Sequence, residues 1–457
     1  MLLASAVLDA SQLRATSASS QRIESATRRR PGNGHTRGGM KTLFVTPNAY
    51  GSGEAITALQ MGRELARSGH EVLYFAESFT APFLAESFPA QVYEFSNDPA
   101  ETGRRWHSLL QDFHPSAIIF ADYPLLFLTQ RGRMLVQDEN WTSVENLDAE
   151  LFTLDHLGMA NGPMTLSFGP PHLELFRQYL PALPGRMKTL LPCPLQSPTS
   201  TSVIAGVSFR YWEVPFALSY GRRQEIRDRF LRNGDELLVF HSVPTWASEF
   251  CRRHRLPNYA YATRLFESYF AHVGRPVVIV SVNGESLLPP SSVSGLRVIN
   301  LGRLTTSEYD EILLASDLML TDNRISISLG KAVCGLVPCV ALRNSYRLPE
   351  IVERAERDLG VVALEMERRR AGSVFPFEVF PIWTIDDVNA LGLFTENPIG
   401  RCIDVLEMYG GAETRNRLEQ LLVGRTYREE LRARQHDYVS IIQRLPTSGE
   451  ALLSSMQ

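Results

Sequence analysis

The sequence predicts an α/β protein made of two doubly wound parallel sheets. Three observations carry this. Short apolar runs alternate with helical stretches from Met40 onward, the pattern of βαβ units. The proline-rich stretch Pro181–Pro198 divides the alternation into two series. The apolar runs end in polar residues, which in such sheets fall where ligands bind, beyond the carboxyl ends of the strands.

The first series opens with strand Thr42–Thr46, followed by the turn Asn48-Ala49-Tyr50-Gly51-Ser52-Gly53-Glu54 and an amphipathic helix to Ser68. A glycine-rich turn between strand and helix leaves backbone N–H groups directed at whatever lies above the sheet edge. Gly51, Ser52 and Gly53 are therefore candidate ligand contacts, and Glu54 is a carboxylate in the first helical turn. Strands Glu71–Ala76 and Val92–Phe95, a helix around Thr102–Phe113, strand Ala117–Asp122 and strand Leu151–Leu154 follow. Glu77, Asp122 and the pair Asp155-His156 stand at strand ends and could share one crevice with Glu54. Asp122 precedes Tyr123-Pro124 and reads as a turn-former. Thr199–Pro215 and a basic helix, Arg222–Arg232, complete the crossing to the second series.

The second series begins with strand Leu237–His241, so His241 and Ser242 stand at a strand end. A helix near Tyr259–Val273 and strands Pro276–Val282 and Leu296–Leu301 come next. Ser307-Glu308-Tyr309-Asp310 reads as a capping box starting a helix to Ser316. Strand Leu318–Thr321 leads into Asp322-Asn323-Arg324 and a helix from Ser326 to Cys334. Strand Cys339–Leu342 follows, and Ile399–Leu445 reads as mostly helical and charged. The resulting units are 40–215, 216–395 and a helical segment 396–457. Residues 1–39 hold six Arg with only Asp9 and Glu24 as acids. They resemble a transit peptide in composition, but are read as a disordered leader or a start placed too early, and are excluded from the fold.

Composition narrows the function. Of the 457 residues 44% are apolar and 21% charged, as in soluble globular proteins. A net charge of -4 without a basic, aromatic-interleaved stripe gives no reason to expect nucleic acid, and no apolar run is long enough to span a bilayer. Five cysteines with no CxxC pair argue against a disulfide framework or zinc site and for a reducing, cytoplasmic setting. No His/Cys/carboxylate cluster has metal-ligand spacing, and no Gly-x-Ser-x-Gly elbow is present.

Gly51-Ser52-Gly53-Glu54, Ala58-Leu59, Glu64-Leu65 and Gly69-His70-Glu71-Val72 together resemble the amino-terminal signature of GT-B glycosyltransferases. The likeness is to the bacterial peptidoglycan N-acetylglucosaminyltransferase and the inverting antibiotic and macrolide glycosyltransferases. Val298–Gly302, Ala315–Leu318, Thr321–Arg324 and Gly335–Pro338 resemble the donor-binding lobe of the same families. The resemblance implies two Rossmann-like domains facing a cleft. It also implies a UDP- or dTDP-linked sugar donor, a small-molecule acceptor, no further cofactor and no metal, and it admits a homodimer.

Two departures stand out. Where relatives with a histidine base carry it, this chain has Glu54, which serves either as the base or as a first-turn acid complementing the helix dipole. Asp155-His156 is the second candidate for proton transfer, or else a turn acid with a structural histidine. In the donor lobe the glycines of the His-Gly-Gly-x-Asn-Ser/Thr pattern are replaced by Asp322-Asn323-Arg324-Ile325-Ser326-Ile327. Arg324 and the Ser326 hydroxyl would then meet the diphosphate, with His241 and Ser242 close to it, and Gly330 stands near the place of the usual ribose-clamping acid. The expected function is inverting, metal-independent sugar transfer to a small molecule in specialised metabolism. The alternative is a GT-B-like protein that has lost transfer and serves another reaction or a partner enzyme.

Overall fold

A computed structural model describes residues 39–47, 53–128, 132, 135, 144–156, 158, 164–168, 176–180, 182–198, 206–210, 212, 216–243, 258–282, 288, 290–323, 326–343 and 397–456. Its first sheet is built from β1 (Lys41–Thr46), β2 (Glu71–Ala76), β3 (Val92–Glu94), β4 (Ala117–Phe120) and β5 (Glu150–Leu154). Helices α1 (Gly53–Arg67), α2 (Ala81–Ala85) and α3 (Pro99–Phe113) connect its early strands. A hairpin, β6 (Met164–Phe168) with β7 (Phe176–Leu180), precedes β8 (Met187–Cys193) and β9 (Gly206–Arg210). The strand order is β3-β2-β1-β4-β5-β8-β9, and every pairing is parallel.

The second sheet comprises β10 (Leu237–Ser242), β11 (Val277–Val282), β12 (Leu296–Leu301), β13 (Leu318–Thr321), β14 (Cys339–Arg343) and β15 (Asp404–Glu407). Its order is β12-β11-β10-β13-β14-β15, again all parallel. Around it lie α4 (Tyr220–Asp228), α5 (Asn258–Phe270), α6 (Thr306–Ala315), α7 (Ile327–Cys334), α8 (Ala412–Leu422) and α9 (Arg425–Ile442), while α10 (Ser448–Ser455) returns to the first sheet. β4, β10, β11 and β13 are buried along their whole length, as parallel strands covered on both faces must be.

The structure corrects several sequence expectations. Part of the proline-rich stretch is a strand, β8, lying inside the first sheet between β5 and β9. Pro192 is tolerated there for a geometric reason. The Leu190 carbonyl accepts from Asp155 N (3.0 Å), so even-numbered residues of β8 turn their backbone polar groups toward β5. The β5 pairing ends at Leu154 with Leu190, so two residues later no donor is needed on that side. β9 likewise falls within the expected crossing, and β15 extends the second sheet from a stretch expected to be mostly helical. The capping box sits two residues earlier than expected: Thr305 is the N-cap and Glu308 the reciprocal acceptor. β4 itself ends two residues earlier than the expected Ala117–Asp122, because Ala121 and Asp122 leave the strand and Asp122 takes φ 75°.

Local chemistry explains the element ends. Asp98 caps α3 by accepting from Ala100 N (3.0 Å). Gly69, at φ 83°, lets the chain turn from α1 into β2. The four described cysteines are buried thiols, with Cys193 and Cys334 each pushed up to about 12 chiefly by burial. No helix among the described residues is long and apolar enough to cross a membrane.

Candidate active site

The carboxyl ends of β1, β4 and β5 are adjacent in the first sheet. Residues distant in sequence therefore converge there. Glu54 is half-buried in the first turn of α1, while Asp122, Asp155 and His156 are buried at the ends of β4 and β5. Thr57, one turn into α1, donates its hydroxyl proton to Gly53 O (3.2 Å), and its oxygen lies 2.9 Å from His156 Nε2. With the threonine proton committed to Gly53 O, a proton on Nε2 is the tautomer that completes this contact. Nδ1 faces Asp122 Oδ2 at 4.0 Å and has no hydrogen-bond partner.

Electrostatics set the charge state of this layer. Burial pushes the Asp122 carboxyl well above the usual carboxylate range, and the charges of Asp155 and Glu54 push it further. The backbone N–H groups of His156 and Leu125 act in the opposite direction but complete no hydrogen bond to its oxygens. Burial lowers His156 to about 3, so its ring is neutral at pH 7. The site is thus a half-open carboxylate, Glu54, backed by a closed, largely uncharged layer of Asp122, His156 and Thr57. Asp122 also pairs left-handed backbone with a buried, unbonded carboxyl, the kind of stored strain that gathers at functional sites.

The second lobe offers hydroxyls. Ser242, at the end of β10, lies 2.5 Å from Tyr309 Oη, which lies 2.6 Å from Ser328 Oγ in the first turn of α7. Burial pushes the Tyr309 phenol up to about 12, so it stays a hydroxyl. Thr321 Oγ1 donates to Ser242 O (2.9 Å) and accepts from Asn323 N (3.1 Å), fixing the turn after β13. Ser326 caps α7, accepting from Ser328 N (3.2 Å), and Asp322 is half-buried beside Asn323.

His241 stands apart from this group. Neighbouring strand residues face opposite sides, and His241 is buried with Ser281 Oγ at 3.0 Å and the Phe266 ring edge-on at 5.1 Å. Burial lowers it to about 3. Lys331 is 3% exposed and paired with Asp310 at 2.5 Å, so its charge is already matched. A Cβ on Gly330 would stand 2.7 Å from Pro194 Cγ and 3.3 Å from the Trp212 ring, so an acid there has no room. Gly51, Ser52 and Arg324 lie outside the described residues.

The two lobes meet at this point. A Cβ on Gly53 would lie 2.9 Å from Ile327 Cδ1, so the first turns of α1 and α7 are in contact range. Glu54, Asp155 and His156 are thereby brought to one side of the cleft, and Ser242, Asp322, Asn323 and Ser326 to the second lobe's strand ends. Sequence reading placed Asp122 at a strand end that could share the crevice but favoured a turn role for it, and it did not single out Thr57. The end of an apolar run was the available signal for Asp122. Tyr309 was visible only as part of a cap. Among the described residues no group of three or more His, Cys, Asp or Glu is arranged to hold a metal ion.

Two parallel sheets facing a cleft, with a carboxyl-terminal helix returning to the first lobe, define the GT-B fold of glycosyltransferases. Solved structures share it. Spinosyn rhamnosyltransferase SpnG complexed with spinosyn aglycone matches with a TM-score of 0.52 at 15% identity, over 92% of this chain and 100% of that one. Spinosyn forosaminyltransferase SpnP matches with a TM-score of 0.51 at 12% identity, over 91% and 98%. The family model described as "Family of unknown function (DUF6365)" matches residues 61–457, and the chain belongs to that family. No curated protein matches the chain.

Proposed function

We propose that this chain is an inverting, metal-independent glycosyltransferase that moves a sugar from a UDP- or dTDP-linked donor to a small-molecule acceptor of specialised metabolism. The observation that carries the reading is the meeting of a half-open carboxylate, Glu54, with the hydroxyl-lined start of α7 across one cleft. Two solved proteins of the same fold, a spinosyn rhamnosyltransferase and a spinosyn forosaminyltransferase, support the same class of reaction.

The acceptor hydroxyl attacks the anomeric carbon from the face opposite the leaving group. The carbon–oxygen bond to the diphosphate breaks as the new glycosidic bond forms, and the acceptor proton passes to Glu54. Of the two proton-transfer candidates Glu54 is the accessible one, since both ring nitrogens of His156 face buried partners. His156 holds the first turn of α1 through Thr57 and so positions Glu54. Asp155 adds negative charge behind it, which favours proton uptake by the cluster. The departing diphosphate meets O–H donors of Ser242 and Ser326 and the amide end of α7. Asp322-Asn323 shapes the turn beside them, and Arg324 supplies the cation of the motif.

A thermal-shift panel of UDP-, dTDP- and GDP-sugars tests the donor assignment: a rise confined to one of the first two is expected. Glu54→Gln should lower transfer by about 10²–10⁴-fold while leaving that rise intact. Full activity in Glu54→Gln would remove Glu54 as the base. Lys331, one turn into α7 and near enough in sequence to reach an anion, is instead committed to Asp310, which favours the alternative, a GT-B-like protein without transfer activity. Absence of any nucleotide-induced shift would decide for it.

A further inference from the structure

The lobes touch at a second place that the chemistry above does not use. Glu86 follows α2 on the first lobe, and Thr306 opens α6 on the second. Glu86 Oε2 accepts from Thr306 N (3.1 Å) and from Thr306 Oγ1 (2.9 Å), across 220 residues of sequence. Three residues before each partner lies a second contact: the Arg303 guanidinium sits 4.0 Å from the centre of the Phe83 ring. Burial lowers the Arg303 pKa, and the nearby Glu86 charge acts against that shift.

The helix does not need this cap for its own sake. Its capping box is complete, with Glu308 N donating to Thr305 Oγ1 (3.2 Å) and Thr305 N donating to Glu308 Oε2 (3.1 Å). The box leaves the Thr306 N–H as one of the remaining orphan donors of the first turn, and the opposite lobe supplies its acceptor. The arrangement is therefore a bond between lobes rather than a local stop signal. α6 also carries Tyr309, which bridges Ser242 and Ser328 at the donor side. Whatever fixes α6 against the first lobe fixes those hydroxyls relative to Glu54.

We propose that Glu86 is a positioning residue: with Phe83 it clasps Thr306 and Arg303 and holds the two lobes in the register that aligns Glu54 with the Ser242–Tyr309–Ser328 hydroxyls. The consequence for catalysis rests on the transferase reading; the clasp itself does not. In this register the first turns of α1 and α7 touch, and loss of the clasp lets the lobes part about the crossing that joins them.

The test is an interlobe distance in the full chain, measured by pulsed electron resonance between spin labels. Ser68→Cys and Gly234→Cys are suitable, since both sites are exposed and a Cβ at 234 meets nothing within 4 Å. Cys251→Ser removes a competing thiol. The parent should give one narrow distance. Glu86→Ala should lose it and add a longer population, Thr306→Val, which keeps the N–H donor, should do so in part, and the double variant should do no more than Glu86→Ala alone. Melting temperature serves as the control for folding. A distribution unchanged by both single variants overturns the clasp, as does additive broadening in the double variant. A clasp that behaves as expected in a protein that binds no nucleoside diphosphate upholds this inference and counts against the transferase reading alone.

Discussion

At the scale of single residues, burial rather than residue type sets the chemistry. His156 and His241 are both lowered to about 3, chiefly by desolvation, from an ordinary value near 6.5. Unfolding restores that ordinary value, so between about pH 3 and 6.5 the unfolded chain binds more protons and stability falls as pH drops. Asp122 works with the opposite sign: its raised pKa keeps a proton in the native state, so its contribution declines as pH rises above the unfolded value of about 3.9. His241 lies away from the proposed site, which makes it the cleaner probe. His241→Asn should flatten the acid limb of stability by about one proton, read from urea midpoints between about pH 4 and 7. A slope equal to that of the parent would mean that this ring is charged in the folded protein. Glu54 was legible from sequence because the glycine turn and its carboxylate are contiguous. Asp122 was not, because its partners lie on α1 and β5, and a strand-end aspartate looks the same whether it turns the chain or faces a histidine.

Among elements, α6 and α7 show how much depends on one register. Thr305-Thr306-Ser307-Glu308-Tyr309-Asp310 contains two overlapping hydroxyl-x-x-acid matches. The structure uses the one ending in glutamate, whose longer side chain reaches back to the N-cap N–H. That choice releases Asp310 to pair with Lys331 on α7. The Lys331 side chain is 3% exposed, so its ammonium depends on that carboxylate. Asp310→Ala should destabilise the protein by about 3–5 kcal/mol by leaving a buried charge unpaired. Adding Lys331→Met should recover most of the loss, since a thioether of similar length carries no charge to desolvate. Urea unfolding of the three variants checks both statements. β8 teaches the complementary lesson: prolines mark breaks in general, but one beyond the end of a neighbouring strand removes no bond.

Across the whole molecule the chain closes on itself. α10 leaves the second lobe and packs on α1, where Ser448 Oγ (2.6 Å) and Gly449 N (3.0 Å) donate to Glu64 Oε2. Ala451 and Leu452 are fully buried in the first lobe's core with Leu65. Arg210 N on β9 donates to Pro446 O (3.0 Å), and Lys188 Nζ donates to Ser455 O (2.6 Å). Deleting residues 446–457 should therefore weaken the first lobe although the cut is made after the second. Losing a buried leucine and its neighbours costs roughly 2–3 kcal/mol, or about 4–12 °C in the melting temperature of a lobe of this size. Calorimetry should show the first lobe's transition moving down and separating from the second; a single unshifted transition would contradict the docking role.

The sequence by itself determined the two parallel sheets, most of their strands and the glycine turn that precedes Glu54, because apolar periodicity and turn chemistry are local. Only the tertiary structure decided which strand ends meet. The order β1-β4-β5 makes neighbours of residues 46, 120 and 154, and so sets Thr57, Asp122 and His156 together behind Glu54. The alternating faces of β10 turn Ser242 toward Tyr309 and His241 into the core. Those outcomes depend on strand order and facing, which arise from packing between distant segments and leave no mark on any single stretch of chain.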